Sequence, residues 1–135
     1  MYNMKGLAHI GLSTRDTEAS KNFYINNLGF SLVSETRLDR PDGSWLNLSF
    51  LNLNGLVVEL IEASDKAKSG VDGVGSINHI AIEVENLPEI MNNLKSRGIV
   101  FENENPRQIR ELFNGVQVAF LKGPNGERIE LFEYL

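Results

Sequence analysis

Two histidines and two glutamates recur at matched spacing. His9 lies in Leu7-Ala8-His9-Ile10-Gly11-Leu12, and His79 lies in Ile77-Asn78-His79-Ile80-Ala81-Ile82. Glu59 opens the tag Glu59-Leu60-Ile61-Glu62 after Val58, and Glu130 opens Glu130-Leu131-Phe132-Glu133 after Ile129. His9 precedes Glu59 by 50 positions and His79 precedes Glu130 by 51. A single strand histidine reads as a satisfied polar residue, and a single strand glutamate as a solvated one. Here, however, the only two histidines of the chain occupy equivalent places in two diverged halves, each with its glutamate. Two neutral imidazoles and two carboxylates suit a divalent ion such as Zn, Ni, Co, Mn or Fe(II). A donor set of this kind can also leave positions open for water or substrate, as a catalytic site requires.

The elements that must position these residues also repeat. Residues 6–12 alternate as a strand, with Ala8, Ile10 and Leu12 on one face and His9 on the other. Ser13 to Asp16 offer helix N-caps. Residues 17–27 read as a helix burying Ala19, Phe23 and Ile25 or Tyr24, ended by Gly29. Strands are expected near 30–37, 45–53 and 56–62, with a hairpin turn at Asn54-Gly55. In the last strand Val58 and Leu60 face one way, and Val57, Glu59 and Ile61 the other. The Gly-rich segment 63–76 reads as a linker.

In the second half, Ile80, Ile82 and Val84 share one strand face, opposite His79. Asn86 with Glu89 resembles a capping box, Pro88 fits a first helical turn, and Leu87, Ile90, Met91 and Leu94 form the buried stripe. A short strand is expected at 99–103, an irregular mobile loop at 104–114, and strands at 116–122 and 127–134. Ile129 and Leu131 face one way there, and Glu130 the other. The reading is thus a single α+β domain over 1–135, with a first βαβββ module at 6–62 and a second at 77–134. If the aliphatic rows pack under the helices, the four candidate ligands point into the concave face of the sheet.

Composition narrows the function classes. The 135 residues can bury a real core, and 41% hydrophobic with 23% charged residues is an ordinary globular mixture. The net charge of −5 argues against sequence-independent nucleic-acid binding. The absence of cysteine excludes disulfides and thiolate metal sites, and fits a cytoplasmic location. No apolar run has signal-peptide or membrane-span length, which reads as a soluble protein. Glu62, Glu83 and Glu133 read as solvated or paired carboxylates, and Trp45 as core or rim. Arg37, Arg40, Arg107 and Arg110 could meet an anionic substrate but read first as solvated. The Gly123-Pro124-Asn125-Gly126 run is a turn rather than a phosphate loop.

The chain resembles the vicinal-oxygen-chelate superfamily, the fold of glyoxalase I, over nearly its whole length. The motifs are Ala8-His9-Ile10, Phe23-Tyr24 with Leu28-Gly29-Phe30, Val58-Glu59-Leu60, His79-Ile80-Ala81, and Gly123-Pro124-Asn125-Gly126 with Ile129-Glu130-Leu131. The resemblance implies two βαβββ modules in a cupped, mostly antiparallel sheet, with helices outside and one divalent metal ion (Ni, Zn, Co or Mn) at His9, Glu59, His79 and Glu130. It implies a lyase or isomerase of glyoxalase I type, moving a proton through a metal-stabilised enediolate, with Glu130 as base and Glu59 as ligand or acid–base partner. A small-molecule substrate and a homodimer are implied too, with sites within one chain or shared between two. The chain departs from glyoxalase I at two glutathione anchors: Ser13 stands where that enzyme carries Arg, and Ala63 where it carries Asn. Another thiol, a CoA thioester or a small hydroxy-carbonyl compound would fit the same core. Methylmalonyl-CoA epimerase-like and ring-cleaving dioxygenase-like enzymes share the fold, as do metal-free resistance proteins that bind a small molecule.

Overall fold

The computed structural model describes residues 8–65, 77 and 79–135. The chain divides into two units, Met1–Gly73 and Val74–Leu135. Most of the expected linker, from residue 66 to 76, lies outside the described residues, as do residues 1–7, which include positions 6 and 7 of the first expected strand.

The first unit runs β1 (Ile10–Thr14), α1 (Thr17–Leu28), β2 (Ser31–Asp39), β3 (Trp45–Leu53) and β4 (Leu56–Ala63). Its four strands form one sheet in the order β1-β4-β3-β2. β1 pairs with β4 in parallel, and the other two pairings are antiparallel. The β3–β4 hairpin turns at Asn54-Gly55, both at positive φ (47° and 99°), as a type I′ turn requires. Val58, Leu60 and Leu51 are fully buried, with Tyr24 and Phe30 beside them.

The second unit repeats this plan with β5 (Ile80–Glu83), α2 (Leu87–Ser96), β6 (Arg107–Ile109), β7 (Val116–Lys122) and β8 (Arg128–Tyr134). Its sheet order is β5-β8-β7-β6, again with one parallel pairing, β5 to β8. Leu87, Met91 and Leu94 of α2 are buried, as expected, whereas Ile90 of the expected stripe is half-buried; Ile129 and Leu131 of β8 are buried too. Each such side chain contributes roughly 1.5–3 kcal/mol on burial. Both units are therefore α+β, each with a mixed four-stranded sheet. No helix among the described residues is long and apolar enough to cross a membrane.

Several details differ from the sequence reading. α1 does not bury Ala19, which is exposed; its buried positions are Thr17, Ser20 and Tyr24. The stripe has helical spacing, but two of its residues are small and polar, with bonded hydroxyls. Ser20 Oγ lies 2.8 Å from Thr14 Oγ1, and Thr17 bonds to Glu62. His9 sits just before β1 rather than inside it, and Val84 just beyond β5. Residues 99–103 contain only an isolated bridge, Phe101 to Leu121, whereas the segment expected to be irregular carries β6.

The expected capping box at Asn86 is replaced by a longer-range device. Asn86 is left-handed (φ 59°), and its side chain does not cap the helix backbone but donates to Glu89 Oε2 at 2.6 Å. The first-turn N–H groups are met by Glu133, which accepts from Asn86 N at 2.5 Å and Leu87 N at 3.0 Å. Glu62 does the same for α1: Thr17 donates to its Oε1 through N at 2.7 Å and Oγ1 at 2.9 Å, while Asp16 accepts from Ala19 N. Each helix start is thus tied to the last strand of its own sheet.

This tie has a pH signature at Glu133. The side-chain hydrogen bond from Gln117, then those from the backbone of Leu87 and Asn86, hold its carboxyl below the ordinary value of 4.5. A carboxyl with a lowered native pKa stabilises the fold above its unfolded value, and that contribution disappears as pH falls through the native one. Glu133→Gln should cost about 1 kcal/mol at pH 7, as loss of a helix cap does. It should also flatten the acid limb of stability against pH. Urea unfolding from pH 7 to pH 3 measures both; an acid limb identical to wild type would show that Glu133 carries no such linkage.

Candidate functional site

The parallel pairing in each unit positions the candidate residues. In β4 the buried Val58 and Leu60 share a face with Glu62, which bonds to α1, so alternation puts Glu59 on the opposite face. In β8 Ile129, Leu131 and Glu133 face α2, and Glu130 faces away from it. Glu59 stands beside Gly11 in the parallel register, and Glu130 beside Ala81. The histidines lie two residues before those small neighbours, on the same face as the glutamates.

The result is one His–Glu pair per unit. His9 Nε2 lies 3.3 Å from Glu59 Oε1, and His79 Nε2 lies 3.5 Å from Glu130 Oε1. The glutamate side chains are largely buried (15% and 11% exposed) and the imidazoles more open (41% and 37%). Both separations exceed the usual N–H···O range of about 2.7–3.2 Å. They match the spacing of neighbouring donors on one divalent ion, about 3.0–3.5 Å for bonds of about 2.0–2.2 Å. The donor atoms therefore fit a metal of the borderline class. Among the described residues no group of three or more metal-ligating side chains occurs; what the structure brings together is His9 with Glu59, and His79 with Glu130.

Each pair has an aromatic wall that sequence reading did not single out. Phe50, the cross-strand partner of Glu59, packs edge-on against His9 with ring centres 5.4 Å apart. Phe120, the cross-strand partner of Glu130, packs the same way against His79 at 5.9 Å. Such contacts orient an imidazole as well as shield it. The signal was present in the hairpin geometry, which fixes the residue opposite each glutamate. Glu62 and Glu133, read as solvated or paired, prove to be paired, with the helix starts. Arg37, one of the four arginines considered for an anion, donates to Asp39 and lies over Trp45. A cavity of about 430 Å³ in the first unit, lined by Thr17, Glu35, Ser49 and Glu62 among others, includes neither His9 nor Glu59.

A family model described as the Glyoxalase/Bleomycin resistance protein/Dioxygenase superfamily matches residues 6–131. The chain belongs to this superfamily. Among curated proteins it is 31% identical over 133 residues to the uncharacterised protein YwkD of Bacillus subtilis (strain 168), covering 96% of this chain and 98% of YwkD. It is 28% identical over 104 residues to the mitochondrial methylmalonyl-CoA epimerase of Bos taurus, covering 73% of this chain and 58% of the epimerase. Among solved structures, a glyoxalase family protein from Enterococcus faecalis matches with a TM-score of 0.73 at 26% identity, covering 96% of this chain and 98% of that one. The trypanothione-dependent glyoxalase I of Leishmania major matches with a TM-score of 0.70 at 22% identity, over 96% and 87% of the two chains, a likeness of fold.

The close approach of Ile61 to Gly11, beside Glu59, can be tested. A Cβ built on Gly11 would lie 3.3 Å from Ile61 Cδ1 and 3.7 Å from Glu59 Oε1. One methyl can be accommodated by the flexible end of Ile61, and the second unit already carries Ala81 at the equivalent place. Gly11→Ala should therefore cost less than about 1 kcal/mol, while Gly11→Val should cost about 1–3 kcal/mol through overpacking. Urea midpoints of the two variants decide this; a Val variant as stable as the Ala variant would contradict the close approach.

Proposed function

We propose that the chain is a divalent-metal-dependent enzyme that shifts a proton between neighbouring carbons of a small hydroxy-carbonyl or thiohemiacetal substrate, in the manner of glyoxalase I. The observation that carries this reading is the matched His–Glu pair of each unit, at 3.3 and 3.5 Å, in a chain of this superfamily. His9, Glu59, His79 and Glu130, from one chain or from two copies of it, would hold the ion. When bound, such an ion supplies Lewis acidity toward two adjacent substrate oxygens.

The chain's own residues do the rest. Glu130, with its side chain largely withdrawn from water, takes the proton from the substrate carbon, and Glu59 serves as ligand and acid–base partner. Phe50 and Phe120 keep the two imidazoles in fixed orientation and keep water from one side of each. Ser13 and Ala63, in place of the glutathione anchors, favour a partner other than glutathione. The match to methylmalonyl-CoA epimerase favours a second reading, in which the same proton transfer inverts a carbon next to a thioester. The homodimer and a cytoplasmic location belong to this proposal as well.

Chelator-stripped protein should take up Ni, Zn, Co or Mn, and His79→Ala should lose most of that uptake. Glu130→Gln should keep the metal within a few-fold but lose roughly 10²–10⁴ in turnover. Thioester formation from methylglyoxal with a panel of thiols assays the lyase. Solvent-deuterium exchange into acyl-CoA substrates assays the epimerase, and oxygen consumption the dioxygenase. Wild-type protein that binds no divalent metal, or a Glu130→Gln variant with full turnover, would overturn the proposal.

A further inference from the structure

Two residues before its glutamate, the second unit carries a cation where the first carries a valine. Alternation along β8 puts Arg128 on the same face as Glu130, two residues away, whereas the position two before Glu59 on β4 is Val57. The Arg128 guanidinium carbon lies 3.7 Å from the centre of the Phe120 ring. That ring is the one packed edge-on against His79, so the guanidinium and the imidazole share one aromatic neighbour. Glu102 fixes the group from another direction: Arg128 Nε donates to Oε1 at 3.0 Å and Nη2 to Oε2 at 2.8 Å.

A guanidinium presents five N–H donors in a rigid plane. Glu102 takes two of them, and the other three meet no partner among the described residues. The side chain is 38% exposed. Stacking and the carboxylate thus hold the fork in one place while leaving part of it open. Such a group is pre-organised for an oxyanion, which it can grip through two parallel N–H bonds. Arg37 is also stacked, over Trp45, and bonded to Asp39, but Arg128 is the arginine that shares a strand face with a candidate ligand, Glu130.

We infer that Arg128 recognises an anionic group of the substrate, so that the compound bound beside Glu130 carries a phosphate or carboxylate near its vicinal oxygens. The inference rests on the proposed metal site and narrows its substrate class. Arg128 acts here as a specificity-determining residue and takes no part in the proton transfer.

The test is calorimetric titration of Zn-loaded protein with three probes that share a hydroxy-ketone: dihydroxyacetone, dihydroxyacetone phosphate and hydroxypyruvate. Wild type should bind at least one charged probe about tenfold or more tightly than the neutral one, as charge-assisted hydrogen bonds allow. Comparison of the two charged probes tells phosphate from carboxylate. Arg128→Met should abolish the preference while keeping zinc uptake and the binding of dihydroxyacetone. Arg128→Gln is a second charge-removing variant should the first fail to fold. Wild type that takes up zinc but binds the three probes equally, or a charge-removed variant that keeps the preference, would overturn the role of Arg128 alone. Wild type that takes up no zinc would overturn the metal reading and this inference with it.

Discussion

The parallel pairing of first and last strand in each unit is the constraint on which the candidate site depends. It puts Gly11 beside Glu59 and Ala81 beside Glu130, and so places each histidine next to its glutamate. A slip of one residue would turn either glutamate toward the helix face and an aliphatic side chain away from it. Val58 and Leu60, and Ile129 and Leu131, resist that slip, because all four are buried to 1% exposure or less. The apolar core thereby fixes the register, and the register fixes the polar pair.

The same two strands also hold the helices. Glu62 follows Glu59 by three residues and Glu133 follows Glu130 by three, and an odd offset along a strand means the opposite face. One glutamate of each tag therefore meets the histidine while the other meets the helix N-terminus, where its charge is favoured by the helix dipole. Docking of the helix and placement of the candidate ligand are coupled through one short run of β-strand. This gives a physical reason for the near-identity of Val58-Glu59-Leu60-Ile61-Glu62 and Ile129-Glu130-Leu131-Phe132-Glu133 in two otherwise diverged halves.

What could be read in the sequence was what repeats or alternates. The βαβββ order, the hairpin at Asn54-Gly55, the buried stripe of α2 and the pairing of each histidine with its glutamate all follow from such patterns. The packing of α1 was harder to read, because its buried face is built from Thr17 and Ser20, whose hydroxyls are satisfied by distant partners. Apolar periodicity cannot register a polar contact of that kind. The 99–109 region was misjudged for a related reason: Phe101 makes a single bridge, and the short β6 takes its place from pairing with β7 rather than from a pattern of its own. The aromatic walls needed the hairpin registers, since cross-strand neighbours are set by pairing, and the stacking of Arg128 on Phe120 needed the same register.

The two His–Glu pairs are alike in composition and unlike in surroundings. His9 and His79 each have a phenylalanine and a glutamate beside them, and among the described residues a guanidinium stacks on the phenylalanine of the second pair, Phe120, but not on Phe50 of the first. On the proposed reading, a duplicated module keeps one metal chemistry while dividing substrate recognition unequally between its copies. The central claim is that both pairs serve one ion. X-ray absorption at the metal edge of Zn- or Ni-loaded protein tests it most directly. The account predicts a shell of nitrogen and oxygen only, at about 2.0–2.2 Å, with scattering from two imidazoles. A shell with one imidazole or none would contradict it.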